Sequence, residues 1–202
     1  DLVFDGTTLF IAVGTTGGGV DNGVYFTRGA ANANLTANPI DWFTGFSELS
    51  SPQPPNPTPA NPFIPGAGMI NLTSPRPNVV YAAVAEDGPF PGVYAIFRTL
   101  DGGITWTQVA DDGQHPAPPA TNPPFNNLPG DYLFPQAWYD SAITSARVNN
   151  QDQLFVGGVD SGGGRNMIFW SNNGGTNWID ISKDLTNIGP HTDVHGMTVD
   201  SL

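Results

Sequence analysis

Thr99-Leu100-Asp101-Gly102-Gly103-Ile104-Thr105-Trp106 is a motif that the chain writes again as Ser171-Asn172-Asn173-Gly174-Gly175-Thr176-Asn177-Trp178. A worn third copy opens at Thr27-Arg28-Gly29 and, after an insertion, runs on to Asp41-Trp42. The copies start at Thr27, Thr99 and Ser171, so each step is 72 residues. A fixed period of this size indicates a repeat architecture.

The residues around each copy follow one grammar. Leu9-Phe10-Ile11-Ala12-Val13-Gly14, Val79-Val80-Tyr81-Ala82-Ala83-Val84 and Leu154-Phe155-Val156-Gly157-Gly158-Val159 are β-branched and aromatic runs bounded by turn residues. They read as buried strands. A second strand follows at Gly23-Val24-Tyr25-Phe26, Val93-Tyr94-Ala95-Ile96-Phe97-Arg98 and Met167-Ile168-Phe169-Trp170. The motif is then a tight turn, and a third strand leaves it at Thr105-Trp106-Thr107-Gln108-Val109 and Trp178-Ile179-Asp180-Ile181. Met69-Ile70-Asn71-Leu72, Ser141-Ala142-Ile143-Thr144 and Gly196-Met197-Thr198-Val199 read as strands that lead each unit. Four short antiparallel strands per unit are the make-up of a propeller blade. No segment carries sustained helical periodicity, and 25 Gly with 20 Pro oppose long helices.

The motif has a physical logic. Asp101, or Asn173 in the second copy, can accept hydrogen bonds from N–H groups of its own turn. The glycine pair can take positive φ without a Cβ clash. Trp106 and Trp178 can bury their rings against neighbouring strands. These are hairpin-clamp roles, so Thr99, Asp101, Gly103, Thr105, Trp106, Ser171, Asn173, Gly175 and Trp178 are read as structural. The two copies resemble the Asp-box, or BNR, repeat, Ser/Thr-x-Asp-x-Gly-x-Thr-Trp, in full at Thr99 and closely at Ser171. Proteins with this repeat include sialidases, xyloglucan-active glycosidases, sortilin-type receptor domains and photosystem assembly factors. The resemblance implies an all-β propeller with Asp-box turns, and the stretches 140–160 and 191–195 look most like a secreted bacterial subgroup of these propellers.

On this reading blade one spans about 1–49, a Pro-rich insert 50–67, blade two 68–110, a second Pro-rich insert 111–139, and blade three 140–182. Residues 191–202 then start a fourth blade. Propellers usually have four to eight blades, so an incomplete ring is expected. Either the chain is a segment of a longer protein, or another chain completes the ring; open blade edges invite pairing. Formal net charge is −12 with six Lys and Arg, which argues against nucleic acid or an anionic membrane surface as partner. No apolar run approaches a transmembrane length. The chain has no Cys, so disulfides carry no information on compartment. The resemblance, the low Lys content and the wealth of Asn, Thr, Gly and Pro lead to an extracellular or periplasmic expectation.

Functional residues are expected on the loops that join blades, since loops on a rigid scaffold carry function. Trp138 and Tyr139 are not used by the motif, and an aromatic pair beside Asp140 can stack on a sugar or plug an interface. Asp140, Asp160 and Asp193 are candidates for a carboxylate acid and base acting on a glycoside. Glu86 and Asp87 are candidate ligand contacts. Carboxylates in these loops also suit Ca²⁺. In His191-Thr192-Asp193-Val194-His195 an extended chain turns His191, Asp193 and His195 to one side, a donor set suited to a transition metal. No cofactor is required by either function considered. The first is a binding or assembly module that recognises a glycan or protein partner. The second is an Asp-box glycoside hydrolase, of which a sialidase is the weakest version because its anionic substrate needs clustered arginines.

Overall fold

The computed structural model describes residues 1–6, 8–15, 22–28, 43–47, 67–112, 127–159, 167–186, 188–190 and 193–200. Those residues form β-strands and no helix. Sheet 1 holds β1 (Leu2–Phe4), β2 (Thr8–Val13), β3 (Gly23–Arg28) and β4 (Phe43–Ser47). Sheet 2 holds β5 (Ala67–Arg76), β6 (Val79–Glu86), β7 (Val93–Thr99) and β8 (Thr107–Ala110). Sheet 3 holds β9 (Ala142–Val148), β10 (Gln151–Gly157), β11 (Ile168–Ser171) and β12 (Ile179–Asp180). Every sheet runs antiparallel in chain order, as the four-strand grammar predicts. This arrangement is consistent with part of a β-propeller.

The 72-residue period reappears in the backbone. The turns from the first to the second strand place Gly6, Asn78 and Asn150 at φ of 99°, 64° and 62°. Side chains alternate across β6 and thereby make two cores. Val80, Ala82 and Val84 pack towards sheet 1 with Phe10, Val24, Phe26 and Trp106. Val79, Tyr81, Ala83 and Ala85 pack towards sheet 3 with Leu154, Val156, Phe169 and Trp178. Sheet 2 is therefore buried on both faces.

Each described copy of the motif is a closed hydrogen-bonded turn. The Thr99 hydroxyl accepts Gly103 N–H at 2.9 Å and donates to Asp101 at 2.8 Å. Asp101 also accepts the Thr105 N–H and hydroxyl. Ser171, Asn173, Gly175 and Asn177 repeat the pattern: Asn173 Oδ1 accepts the Ser171 hydroxyl and the Asn177 N–H, while the Thr176 hydroxyl turns to the Asn173 carbonyl. Trp106 Nε1 donates to Gly103 O at 3.2 Å, and Trp178 Nε1 to Gly175 O at 3.0 Å. The glycine at the turn's centre is required twice over. Gly103 has φ 93°, and a Cβ there would sit 2.9 Å from both Phe10 and Phe26 of sheet 1.

Polar clips tie neighbouring sheets together. Asp5 accepts Asn78 N–H, and Thr73 and Ser145, 72 residues apart, share a hydrogen bond of 2.7 Å. Asp152 receives Arg76 at 3.1 Å through two nitrogens, Arg147 on its own sheet, and the Tyr81 hydroxyl at 3.4 Å. Burial pushes the Asp152 carboxyl up, but the hydrogen bonds from Arg76 and Arg147 together outweigh burial and hold it below its ordinary value.

One expected strand is not formed. Residues 196–199 belong to no ladder; their segment touches sheet 3 through Val194 N–H to Gly158 O at 2.9 Å and a bridge between Val159 and Asp193. A strand needs a neighbour along its length, and among the described residues none continues past that bridge. The worn copy at 29–42, residues 50–66 of the first Pro-rich insert and residues 113–126 of the second lie outside the described residues. Asn71, within β5, donates to Ser141 O.

The turn glycine yields a stability test. Gly103→Ala adds left-handed strain of about 1–2 kcal/mol and overpacking of about 1–3 kcal/mol. Urea unfolding should show a loss of roughly 2–5 kcal/mol on those two terms. Gly196→Ala, where a Cβ meets nothing within 4 Å, should be neutral. Equal effects at the two positions would refute the packing role of the turn.

Candidate functional site

The loop between sheets 2 and 3 is held from several sides. Asn127 Nδ2 donates to Val109 O, Gly175 O and Thr176 O, spanning both sheets. Leu128, Tyr132, Leu133 and Ala137 anchor the loop in the core between those sheets. Asp131 Oδ1 accepts N–H groups of Val93, Leu133 and Phe134 at 2.9–3.1 Å. Burial pushes the Asp131 carboxyl up against the pull of these bonds. Gln136 O accepts the N–H groups of Tyr139 and Asp140, a turn that precedes β9.

That turn sets three consecutive side chains apart. Trp138 and Tyr139 stand out to solvent, 46% and 60% exposed, with ring centroids 5.6 Å apart. Asp140 turns inward and is 0% exposed. From the segment after sheet 3, His195 packs edge-on against Tyr139 at 4.4 Å and sets Nδ1 3.1 Å from Asp140 Oδ1. That is ion-pair distance, but the angles do not make a hydrogen bond, and neither Asp140 oxygen receives one. Burial pushes the Asp140 carboxyl above its ordinary value; Asp193 adds to the push and His195 opposes it. His195 also borders a cleft of about 410 Å³ between the first strands of the three sheets, lined by Asn71, Thr73, Ser141, Thr144 and Met197 among others.

Five of the residues singled out in the sequence thus meet here: Trp138, Tyr139, Asp140, Asp193 and His195. The other candidates do not join them. Glu86 accepts Gly92 N–H and so closes the β6–β7 loop, in which Asp87 also sits. Asp160 and His191 lie outside the described residues, so the donor set of His191, Asp193 and His195 is not assembled; among the described residues no group of three or more His, Asp or Glu is placed to hold a metal. Arg76 and Arg147 are spent on Asp152, and Arg98 faces Gly174 O. No three of the described arginines converge on the Asp140 group.

Sequence reasoning missed the pairing of Asp140 with His195 and the stacking of His195 on Tyr139. A signal existed. Asp140 and His195 each directly precede the segments read as leading strands, Ser141-Ala142-Ile143-Thr144 and Gly196-Met197-Thr198-Val199. Equivalent positions of adjacent repeats stand side by side in a stacked array. The buried Tyr132 hydroxyl, also without a hydrogen bond, had no such signal.

No protein-family model matches the chain, and no curated protein does. Solved structures to which it is similar include the Hadza microbial sialidase Hz136, at 17% identity and TM-score 0.38 over 78% of this chain and 24% of that one. The NanB sialidase of Streptococcus pneumoniae is similar at 12% identity and TM-score 0.37, over 81% of this chain and 18% of that one. The chain thus spans a quarter or less of the length of these structures.

The buried carboxyl gives a signed prediction. A folded-state value above the unfolded one, about 3.9 for Asp, costs stability at neutral pH. The cost is relieved as pH falls through the raised value and is gone below about pH 3.9. Asp140→Asn should therefore raise the melting temperature at pH 7, with the gain shrinking in acid. A melting temperature lowered at pH 7 would show that the carboxylate holds the fold through His195 instead.

Proposed function

We propose that the chain is part of a secreted, Asp-box β-propeller whose blade-joining loops bind a neutral glycan. The observation that carries this reading is the exposed Trp138–Tyr139 pair, two adjacent rings held on the loop that joins sheets 2 and 3. A pyranose offers an apolar C–H face that matches an aromatic ring. Ligand sites combine aromatic surface with a few placed polar groups. The loop is fixed to two sheets by Asn127, so the rings are presented without a large ordering cost. Stacking needs no cofactor. The commitment of Arg76, Arg98 and Arg147 elsewhere favours a neutral ligand over an acidic one. The propeller reading is supported by the three face-to-face sheets, the 72-residue period and the repeated glycine turns.

Affinity electrophoresis with soluble neutral polysaccharides, such as β-glucan, xyloglucan and galactomannan, tests the proposal. Retardation is expected with at least one, and Trp138→Ala and Tyr139→Ala should each weaken it by about tenfold, near 1.4 kcal/mol. A wild-type protein that none of these polysaccharides retards would overturn it.

A second reading, glycoside hydrolysis, is favoured by one observation. Asp140 has the raised carboxyl expected of a general acid, with the second carboxylate of Asp193 close enough to influence it. If the protein releases reducing ends from the same polysaccharides, Asp140→Asn and Asp193→Asn should each lower kcat by about 10²-fold or more. Turnover unchanged in both variants would exclude these carboxylates.

A further inference from the structure

The three sheets share a register that shows what each face is built to meet. The motif's opening residues Thr27, Thr99 and Ser171 pair with Leu9, Val80 and Leu154. One step on, the pairs Phe10–Phe26, Tyr81–Arg98 and Phe155–Trp170 are therefore equivalent. In sheet 1 this pair is covered by sheet 2: Trp106 meets Phe10 edge-on at 6.5 Å, and Gly103 lies against both rings. In sheet 2 it is covered by sheet 3: Tyr81 reaches Asp152, and Arg98 reaches Gly174 O.

In sheet 3 the same row runs Thr144, Phe155, Trp170 and Ile179 across all four strands. Among the described residues no sheet covers this row; Val194 and Met197 pack beside it, on Gly157 of the same face. Phe155 and Trp170 stack at 6.5 Å and 23°, half-buried, and Ile179 is 54% exposed. The opposite end of the stack has a matching surface. Leu2 stands opposite Ile11 and Phe4 opposite Leu9, so these four share the outer face of sheet 1. Leu2 and Phe4 are 60% and 48% exposed. The equivalents of Leu9 and Ile11 are Val80 and Ala82 in sheet 2, and Leu154 and Val156 in sheet 3, all buried against the preceding sheet. One end therefore carries the face that precedes a sheet, and the other the face that follows one.

We infer that the outer face of sheet 3 docks on the outer face of sheet 1 of a second copy of this chain. The joint continues an interface that the molecule already makes twice, between sheets 1 and 2 and between sheets 2 and 3. Both surfaces are mainly apolar rows with no charged member, the composition that burial favours. Two copies joined at both ends close a ring of six sheets, inside the usual range for propellers, with the two-fold symmetry common in dimers. Ring closure rests on the propeller reading, and the joint itself is independent of glycan binding. The charge of −12 on each copy opposes association, so salt strengthens it by screening.

Sedimentation velocity on the 202-residue chain, with micromolar protein in 0.15 and 0.5 M NaCl, tests the inference. The expected species has twice the 21.3 kDa monomer mass and is favoured at the higher salt. Ile179→Asp and Leu2→Asp alter side chains already exposed in one copy, so circular dichroism and polysaccharide retardation should be unchanged. Each should weaken the dimer at least tenfold. Mixing the two variants restores one sound joint and should return part of the dimer. A wild-type monomer throughout, or a dimer indifferent to both substitutions, would overturn the inference, and neither result touches the glycan reading.

Discussion

The hydroxyl of Thr99 holding the amide of Gly103, and its twin from Ser171 to Gly175, is the contact on which the rest of the architecture depends. It folds the chain tightly enough that the second glycine of the turn leads, with no side chain in the way, into the neighbouring sheet. Gly103 abuts Phe10 and Phe26, and Gly175 abuts Val109. The tryptophan three residues later is then directed into the same interface, with its indole N–H satisfied by the glycine carbonyl. A buried ring and a satisfied polar atom come from one eight-residue turn. Sheet spacing, core composition and the course of the outgoing strand follow from it.

The candidate site inherits its rigidity from this stacking. Asn127 reads the carbonyls of the sheet 3 turn and the end of β8 at once. The loop that carries Trp138 and Tyr139 is thereby fixed to two sheets before any ligand arrives. Asp131 spends its burial on three backbone amides and steadies that loop. Asp140 is the contrast. It is as buried as a structural carboxylate and yet receives no hydrogen bond, a costly state for a charged group. A group kept at a stability cost beside a histidine and exposed aromatics is a candidate for a functional position.

The strand grammar of the sequence was enough to place most of β2, β3, β6, β7, β10 and β11, because β-branched runs between glycine turns leave few alternatives. The 72-residue register also located the equivalent turns, since their φ > 0 positions admit little but Gly and Asn. Residues 196–199 failed as a strand for a reason outside their own composition: pairing depends on a neighbour that a linear reading cannot supply. The site was legible as a set of suspects, Trp138, Tyr139, Asp140, Asp193 and His195, drawn from residues that the motif left unexplained. Their mutual geometry was not, because the angle that brings His195 near Asp140 without a hydrogen bond is set by packing of Val194 and Met197 on Gly157. Glu86 and Asp131 each accept backbone N–H groups, a use that their place in a loop does not reveal in the sequence.

The fork at Asp152 has a consequence for descent rather than for folding. Arg76 and Arg147 arrive at one carboxylate from neighbouring sheets, and Tyr81 leans on the same group. Delete the carboxylate and two guanidinium groups face each other with no counter-charge between them; delete one guanidinium and a nearly enclosed anion loses half its cover. Intermediate steps in either direction are worse than both ends. Stability alone therefore favours exchange of the three positions together over exchange of any one of them.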